Sequence, residues 1–138
     1  MKVSLKQNQA VHFTATTASG QTLEIDGSPD VGGQEKGVRP MEIVLIALGG
    51  CSAIDVILML KKMRQDVTDC QIDVSGDRVD EVPAIFSDIS IDYTVTGKNL
   101  DQEKVARAVS LSVEKYCSVS KMLGKSVNIR YDFSVVED

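Results

Sequence analysis

Apolar and polar residues alternate along three early stretches of the chain: Val3 and Leu5, then Val11 and Phe13, then Leu23 and Ile25. Period two marks a strand buried on one face, because successive side chains point to opposite sides. The turn formers Ala18-Ser19-Gly20-Gln21 separate the second and third runs, which predicts an N-terminal antiparallel meander. From Gly27 to Gly37 the chain is rich in turn formers and poor in apolar residues, so a mobile loop is expected there.

The pattern then changes. Ile43 to Leu60 is apolar almost throughout, with Ser52 and Asp55 its strongly polar members. Pro40 suits the first turn of a helix, and Lys61, Lys62 and Arg64 suit its last turn, where cations complement the macrodipole. The stretch approaches transmembrane length. Asp55 near its middle is costly in lipid, however, and the flanking strands need something apolar to cover. The expectation is a helix buried on all sides, which asks for more covering surface than one small sheet offers and so hints at a subunit interface.

Alternation returns with Cys70, Ile72 and Val74 and again with Ile89, Ile91, Tyr93 and Val95, predicting a second antiparallel pair. Asp101 can cap a helix with Val105, Ala108, Val109, Val113 and Tyr116 on one stripe, and Ser118 can cap a further short turn ending at Gly124. Val127, Ile129, Tyr131, Phe133 and Val135 close the chain as a one-sided strand. Three strands, a long helix, two strands, two helices and a last strand make an α+β fold, with antiparallel sheets around a long buried central helix. The 138 residues suit a single domain spanning 1–138.

With 43% apolar and 25% charged residues and a net charge of -5, the chain has an ordinary globular composition. The acidic balance disfavours nucleic acid as a partner, and Lys61-Lys62 with Arg64 is a short basic cluster without interleaved aromatics. The N-terminus lacks the pattern of a signal peptide. A cytoplasmic location is expected, with neither a membrane span nor a secreted disulfide framework. Walker, GxGxxG, HExxH and GxSxG motifs are absent. The one histidine, His12, shares a face with Thr14 and Thr16, opposite Val11 and Phe13, which directs it to solvent or a polar rim. No clustered ligands suggest a metal, and no cofactor is expected.

The chain's three cysteines remain. Cys70 aligns with Ile72 and Val74 and reads as a core residue. Cys51 follows Gly49-Gly50, two glycines that cost a helix about 1 kcal/mol each and so imply a close approach, either of another backbone or of a ligand. Cys117 precedes Ser118 at a helix start, where unpaired N–H groups and the dipole favour a thiolate. Position alone leaves both a structural and a redox role open for this pair.

The segment Arg39-Pro40-Met41-Glu42-Ile43-Val44-Leu45-Ile46-Ala47-Leu48-Gly49-Gly50-Cys51, taken with Tyr116-Cys117-Ser118-Val119-Ser120-Lys121, resembles the OsmC and organic hydroperoxide resistance (Ohr) family. The likeness is to its branch with a Pro-Met-Glu stretch before an Ala-Leu-Gly-Gly-Cys run, and the element order extends it over nearly the whole chain. The resemblance implies an OsmC-like intertwined homodimer, with two central helices packed together and two sites at the subunit interface. It also implies a thiol peroxidase acting on organic hydroperoxides or hydrogen peroxide. Cys51 would attack and become a sulfenic acid, Cys117 would resolve it as a disulfide, and an external dithiol would reduce the disulfide.

Two departures bear on that implication. The family's best peroxidases place a glutamate directly after the proline, where this chain has Met41, with Glu42 one residue late. They also hold the thiolate with an arginine from the N-terminal strands, yet Phe13 to Gly27 contains none, leaving Arg39 as the nearest substitute. About 18 Å of helix separates Arg39 from Cys51 and about 13.5 Å separates Glu42 from it. Arg39 and Glu42 would therefore act across a dimer, or else serve only a surface ion pair and helix-start electrostatics. The departures favour an alternative from another class: a dimeric, redox-responsive protein that binds a small ligand in an apolar interface pocket. A third reading makes the cysteines packing residues only, which sulfurs beyond disulfide reach would support.

Overall fold

The early alternating runs form β1 (Val3–Gln9), β2 (His12–Thr17) and β3 (Thr22–Ile25), an antiparallel sheet in the order β1-β2-β3. In this computed structural model, which describes residues 1–138, the chain divides into two compact units, Met1–Val44 and Leu45–Asp138. The first unit has little core of its own: Val3 and Leu5 are both 56% exposed. His12 sits on a polar rim as expected, its Nε2 2.8 Å from Glu24 Oε1. Glu24 also accepts from the Thr14 hydroxyl, which with His12 lowers its pKa.

The segment expected to be a mobile loop is instead tethered. Asp26 is buried and its carboxylate accepts backbone N–H groups from Gly27 at 2.8 Å, Gln34 at 3.0 Å and Lys36 at 3.2 Å. Those bonds, that of Gln34 foremost, lower its pKa. The local sequence reads as turn-rich because the ordering group, one carboxylate, lies just before it.

Helix α1 (Pro40–Lys62) begins in the first unit and continues through the second. Glu42 Oε1 accepts the Arg39 N–H at 2.8 Å, half of a capping box that satisfies a free donor at the helix start. The helix is long and apolar enough by length and composition to cross a membrane.

The expectation of burial on all sides is corrected within the single chain. Leu48, Gly49, Ser52, Val56 and Leu60 form one buried stripe, while Ile54 is 64% and Leu58 54% exposed, with Ile46 and Ile57 open beside them. One three-stranded sheet covers one face of a helix, and the other apolar face is left over.

In the second unit β4 (Asp66–Arg78), β5 (Phe86–Lys98) and β6 (Asn128–Glu137) form a sheet in that order. β5 is central, and Ile89, Ile91, Tyr93 and Val95 are buried along it, together with Val105, Ala108 and Val109 of α2 (Gln102–Leu111). Each of the buried valines and isoleucines contributes about 1.5–3 kcal/mol by leaving water. Asp101 caps α2 as expected, accepting N–H groups of Glu103 and Lys104.

β4 and β5 pair antiparallel, but β5 and β6 pair parallel, so the all-antiparallel expectation is corrected for this sheet. The physical reason is the connection: two helices lie between β5 and β6, long enough for the crossover that a parallel pair requires. The α+β class stands, built from two three-stranded sheets and the helices.

Candidate functional site

Cys51 lies on α1, half-buried and reduced, and Cys117 is buried and reduced. α2 passes into a single turn of wider helix, Ser112–Tyr116, before α3 (Ser118–Leu123). In that turn the Cys117 N–H donates to the Ser112 carbonyl at 2.8 Å, a bond five residues back. The extra residue per turn re-aims the chain, and the neighbouring Cys51 thiol adds to the upward shift of the Cys117 pKa.

Cys117 is the N-cap of α3, with its Sγ accepting the Ser120 N–H at 3.4 Å. Position alone led to an expectation of a favoured thiolate, and burial reverses it. Desolvation pushes the Cys117 thiol up to about 11; the Ser120 bond opposes this, and the interaction with Cys51 adds to it. A weak S···H–N bond at a short helix does not offset loss of water around a charge.

Behind the thiols sits a polar group inside the apolar core. Ser52, next to Cys51, hydrogen-bonds the Tyr93 hydroxyl and lies 2.8 Å from Ser112 Oγ. Ser112 Oγ in turn donates to the Ser52 carbonyl at 3.2 Å and to Asp55 Oδ2 at 3.5 Å.

A carbonyl oxygen only accepts, so Ser112 donates to the Ser52 carbonyl and shares that hydrogen with Asp55, which leaves Ser52 to donate to Ser112 and Tyr93 to Ser52. Every buried polar side-chain atom has a partner. Burial pushes the Tyr93 phenol up to about 12, with the Ser52 bond opposing it. Ser112 joins the two cysteine elements, its hydroxyl held on α1 and its carbonyl holding Cys117.

Asp55 stands one turn after Cys51, on the same side of α1. It lines an open groove of about 590 Å³ whose walls include Met59 and Lys62 of α1, Arg107 and Leu111 of α2, and Tyr116 next to Cys117.

Arg39 and Glu42 are engaged with their own neighbours. Glu42 takes the Arg39 N–H, and the Arg39 guanidinium pairs with Glu35 at 2.8 Å. Cys70 is half-buried on β4, its thiol pKa raised by burial and by Asp69. It lines an apolar cleft with Gly49, Gly50 and Val74.

A Cβ on Gly49 would lie 3.0 Å from Val74 Cγ2, so this glycine lets α1 approach β4 closely. Gly50 has open space above it. Ser52, Tyr93 and Ser112 were not singled out as site residues from sequence. Ser52 and Asp55 carried a signal as the polar members of an apolar run, whereas Ser112 looked like an ordinary polar helix position.

Comparison with known proteins agrees with this architecture. A family model described as OsmC-like protein matches residues 33–132. Protein YhfA of Escherichia coli K12 is 45% identical over 136 residues, covering 99% of this chain and 98% of that protein. A crystal structure of a protein from Aquifex aeolicus VF5 superposes with a TM-score of 0.87 at 34% identity, over 99% of this chain and 96% of the other. The organic hydroperoxide resistance protein OhrB of Bacillus subtilis shares the fold, with a TM-score of 0.64 at 22% identity over 96% of each chain. With the family model covering most of the chain and a relative at this identity spanning nearly all of it, the protein belongs to the OsmC-like family.

Proposed function

We propose that the protein is a thiol-dependent hydroperoxide reductase, with Cys51 as the attacking and Cys117 as the resolving thiol. Family membership supports a redox role connected with peroxides. The observation that carries the finer reading is that two free thiols stand on elements tied together by Ser112, whose hydroxyl bonds α1 beside Cys51 and whose carbonyl accepts the Cys117 N–H.

In the first step the Cys51 sulfur bonds to the distal oxygen of ROOH, the O–O bond breaks, and the thiol proton leaves with the alkoxide as ROH, giving Cys51 sulfenic acid. Cys117 then attacks that sulfur, water departs and a disulfide forms. An external dithiol reduces it by two exchange steps and is itself oxidised. The raised pKa of Cys117 suits a thiol that stays protonated until Cys51 is oxidised.

The working unit in this reading is a homodimer. The exposed face of α1, with Ile46, Ile54, Ile57 and Leu58 around the bare backbone of Gly50, supports a helix-on-helix interface. Exposed Val3 and Leu5 on the first sheet are further surface for a second copy to cover. Free thiols fit a reducing compartment, and we place the protein in the cytoplasm. Arg39 and Glu42, occupied with Glu35 and with each other, are assigned to the start of the helix.

The ligand-binding alternative draws its support from the groove of about 590 Å³. Turnover separates the two: sustained dithiol-dependent consumption of cumene hydroperoxide, lost in Cys51→Ser, supports the reductase, and three unreacted thiols with no turnover would leave ligand binding.

A further inference from the structure

The attack of Cys51 on a hydroperoxide needs a group that takes the thiol proton and returns it to the departing alkoxide, and the start of α1 does not offer a free one. We propose that Asp55 is that group, a catalytic residue of the Cys51 site. The inference rests on the reductase reading above.

Three observations place Asp55 there. First, it follows Cys51 by four residues on the same helix, and side chains at that spacing are surface neighbours, about 5–6 Å apart at Cβ. Second, Asp55 lines an open groove whose walls include Tyr116, the residue before Cys117, so the side chain is within reach of a small molecule. Third, it is held from behind. The Ser112 hydroxyl donates to Oδ2 at 3.5 Å, and Ser112 is fixed by Ser52 and, through it, by Tyr93.

A half-buried carboxylate that forms no ion pair, yet is oriented by a fully buried hydroxyl chain, is arranged differently from a solvated surface charge. The chain supplies the orientation that an isolated carboxylate on an open helix face lacks.

The chemistry balances without another reactant. The carboxylate accepts the proton of Cys51 S–H as the sulfur lone pair enters the distal oxygen. The O–O bond breaks with its electron pair passing to the proximal oxygen, and Asp55 gives the proton to that oxygen. Sulfur is oxidised by two electrons, the hydroperoxide is reduced to an alcohol, and the carboxylate is regenerated.

The titratable and charged groups around Asp55 are Lys62 on its own helix, Arg107 from α2 and Tyr116 from the following turn, which share its groove, and Tyr93 from β5; Cys51 is its neighbour by helix spacing. Ser112 is a positioning residue in this arrangement.

The test is single-turnover oxidation of Cys51 by a series of hydroperoxides whose leaving alcohols differ in acidity, in wild type, Asp55→Asn, Asp55→Glu and Glu42→Gln. Asp55→Asn is expected to slow oxidation by about 10²-fold and to steepen the dependence of rate on leaving-group acidity, since the alkoxide then departs unprotonated. Asp55→Glu, which keeps a carboxylate, recovers at least a tenth of the rate with the shallow dependence, and Glu42→Gln leaves both unchanged. An active wild type with Asp55→Asn equally fast would overturn the assignment and leave the reductase reading standing. A slower Asp55→Asn with the wild-type dependence would also overturn it, since that is a packing effect. Failure of wild type to react removes the reductase reading, and the assignment with it.

Discussion

The start of α1 and the turn of α1 that carries Cys51 both hold groups suited to handling charge, and the chain treats them in opposite ways. At the start, Arg39 and Glu42 are exposed or half-exposed, and their hydrogen bonds run to Glu35 and to each other. Around Cys51 the polar groups are withdrawn from water: Ser52 and Ser112 are fully buried and Tyr93 is 1% exposed.

Burying hydroxyls in an apolar core costs stability unless each is bonded. Groups kept there at that cost and fully satisfied are a built arrangement, whereas exposed ion pairs contribute little and are readily made. Sequence motifs point at both places with equal force; burial tells them apart.

The largest expected difference between the two places is in activity. Cys51→Ser abolishes hydroperoxide turnover, while Arg39→Ala and Glu42→Gln change it by less than about threefold, in keeping with exposed pairs worth little. Loss of activity in the helix-start variants as deep as in Cys51→Ser would erase the contrast.

Next in size is stability. Ser112→Ala removes the donor to the Ser52 carbonyl and Asp55 and leaves the Ser52 hydroxyl short of a partner. It is expected to lower the free energy of unfolding by about 1–3 kcal/mol in urea titrations. Glu42→Ala, which removes only a partial cap, lowers it by about 0.5–1 kcal/mol.

A third expectation concerns alkaline pH. The Cys117 thiol is raised from 9.0 to about 11, so the folded chain holds its proton more tightly than the unfolded chain does. The associated stability is present below pH 9 and lost as pH rises toward about 11. Unfolding midpoints measured across that range should fall, and Cys117→Ala should flatten the fall.

The smallest effect lies on the acid side, at Asp26. Its pKa is lowered, so its contribution is present above the ordinary aspartate range and lost as pH falls through the folded value. In Asp26→Asn, faster amide exchange at Gln34 and Lys36, with exchange in β5 unchanged, would show that this carboxylate tethers the loop.

Much of this fold was legible in the sequence because its strands carry apolar residues on one face. Leu5, Phe13 and Ile25 in the first sheet, and Ile89, Ile91 and Val95 in the second, alternate cleanly. Of the caps, Asp101 holds the start of α2 as expected, whereas α3 is capped by Cys117, one residue before the expected Ser118.

What the pattern did not carry was pairing direction and environment. β6 reads the same whether parallel or antiparallel, because alternation reports a face and not a neighbour. Cys117 reads as an activated thiol from its place at a helix start, since sequence shows the helix start but not how much solvent is lost around the sulfur. Ser112 looked like a polar helix residue, because its partners Ser52 and Asp55 lie far away along the chain. The loop after Asp26 looked loose because turn formers read alike whether or not they are held, and the pattern does not show that the Asp26 carboxylate accepts N–H groups eight and ten residues on.

The most direct test of the account is the mass and thiol map of the reduced protein after one equivalent of cumene hydroperoxide. The account predicts loss of two hydrogens per chain, a peptide pair joining Cys51 to Cys117, and a free Cys70. Three unmodified thiols, or a disulfide that includes Cys70 in place of Cys117, would contradict it.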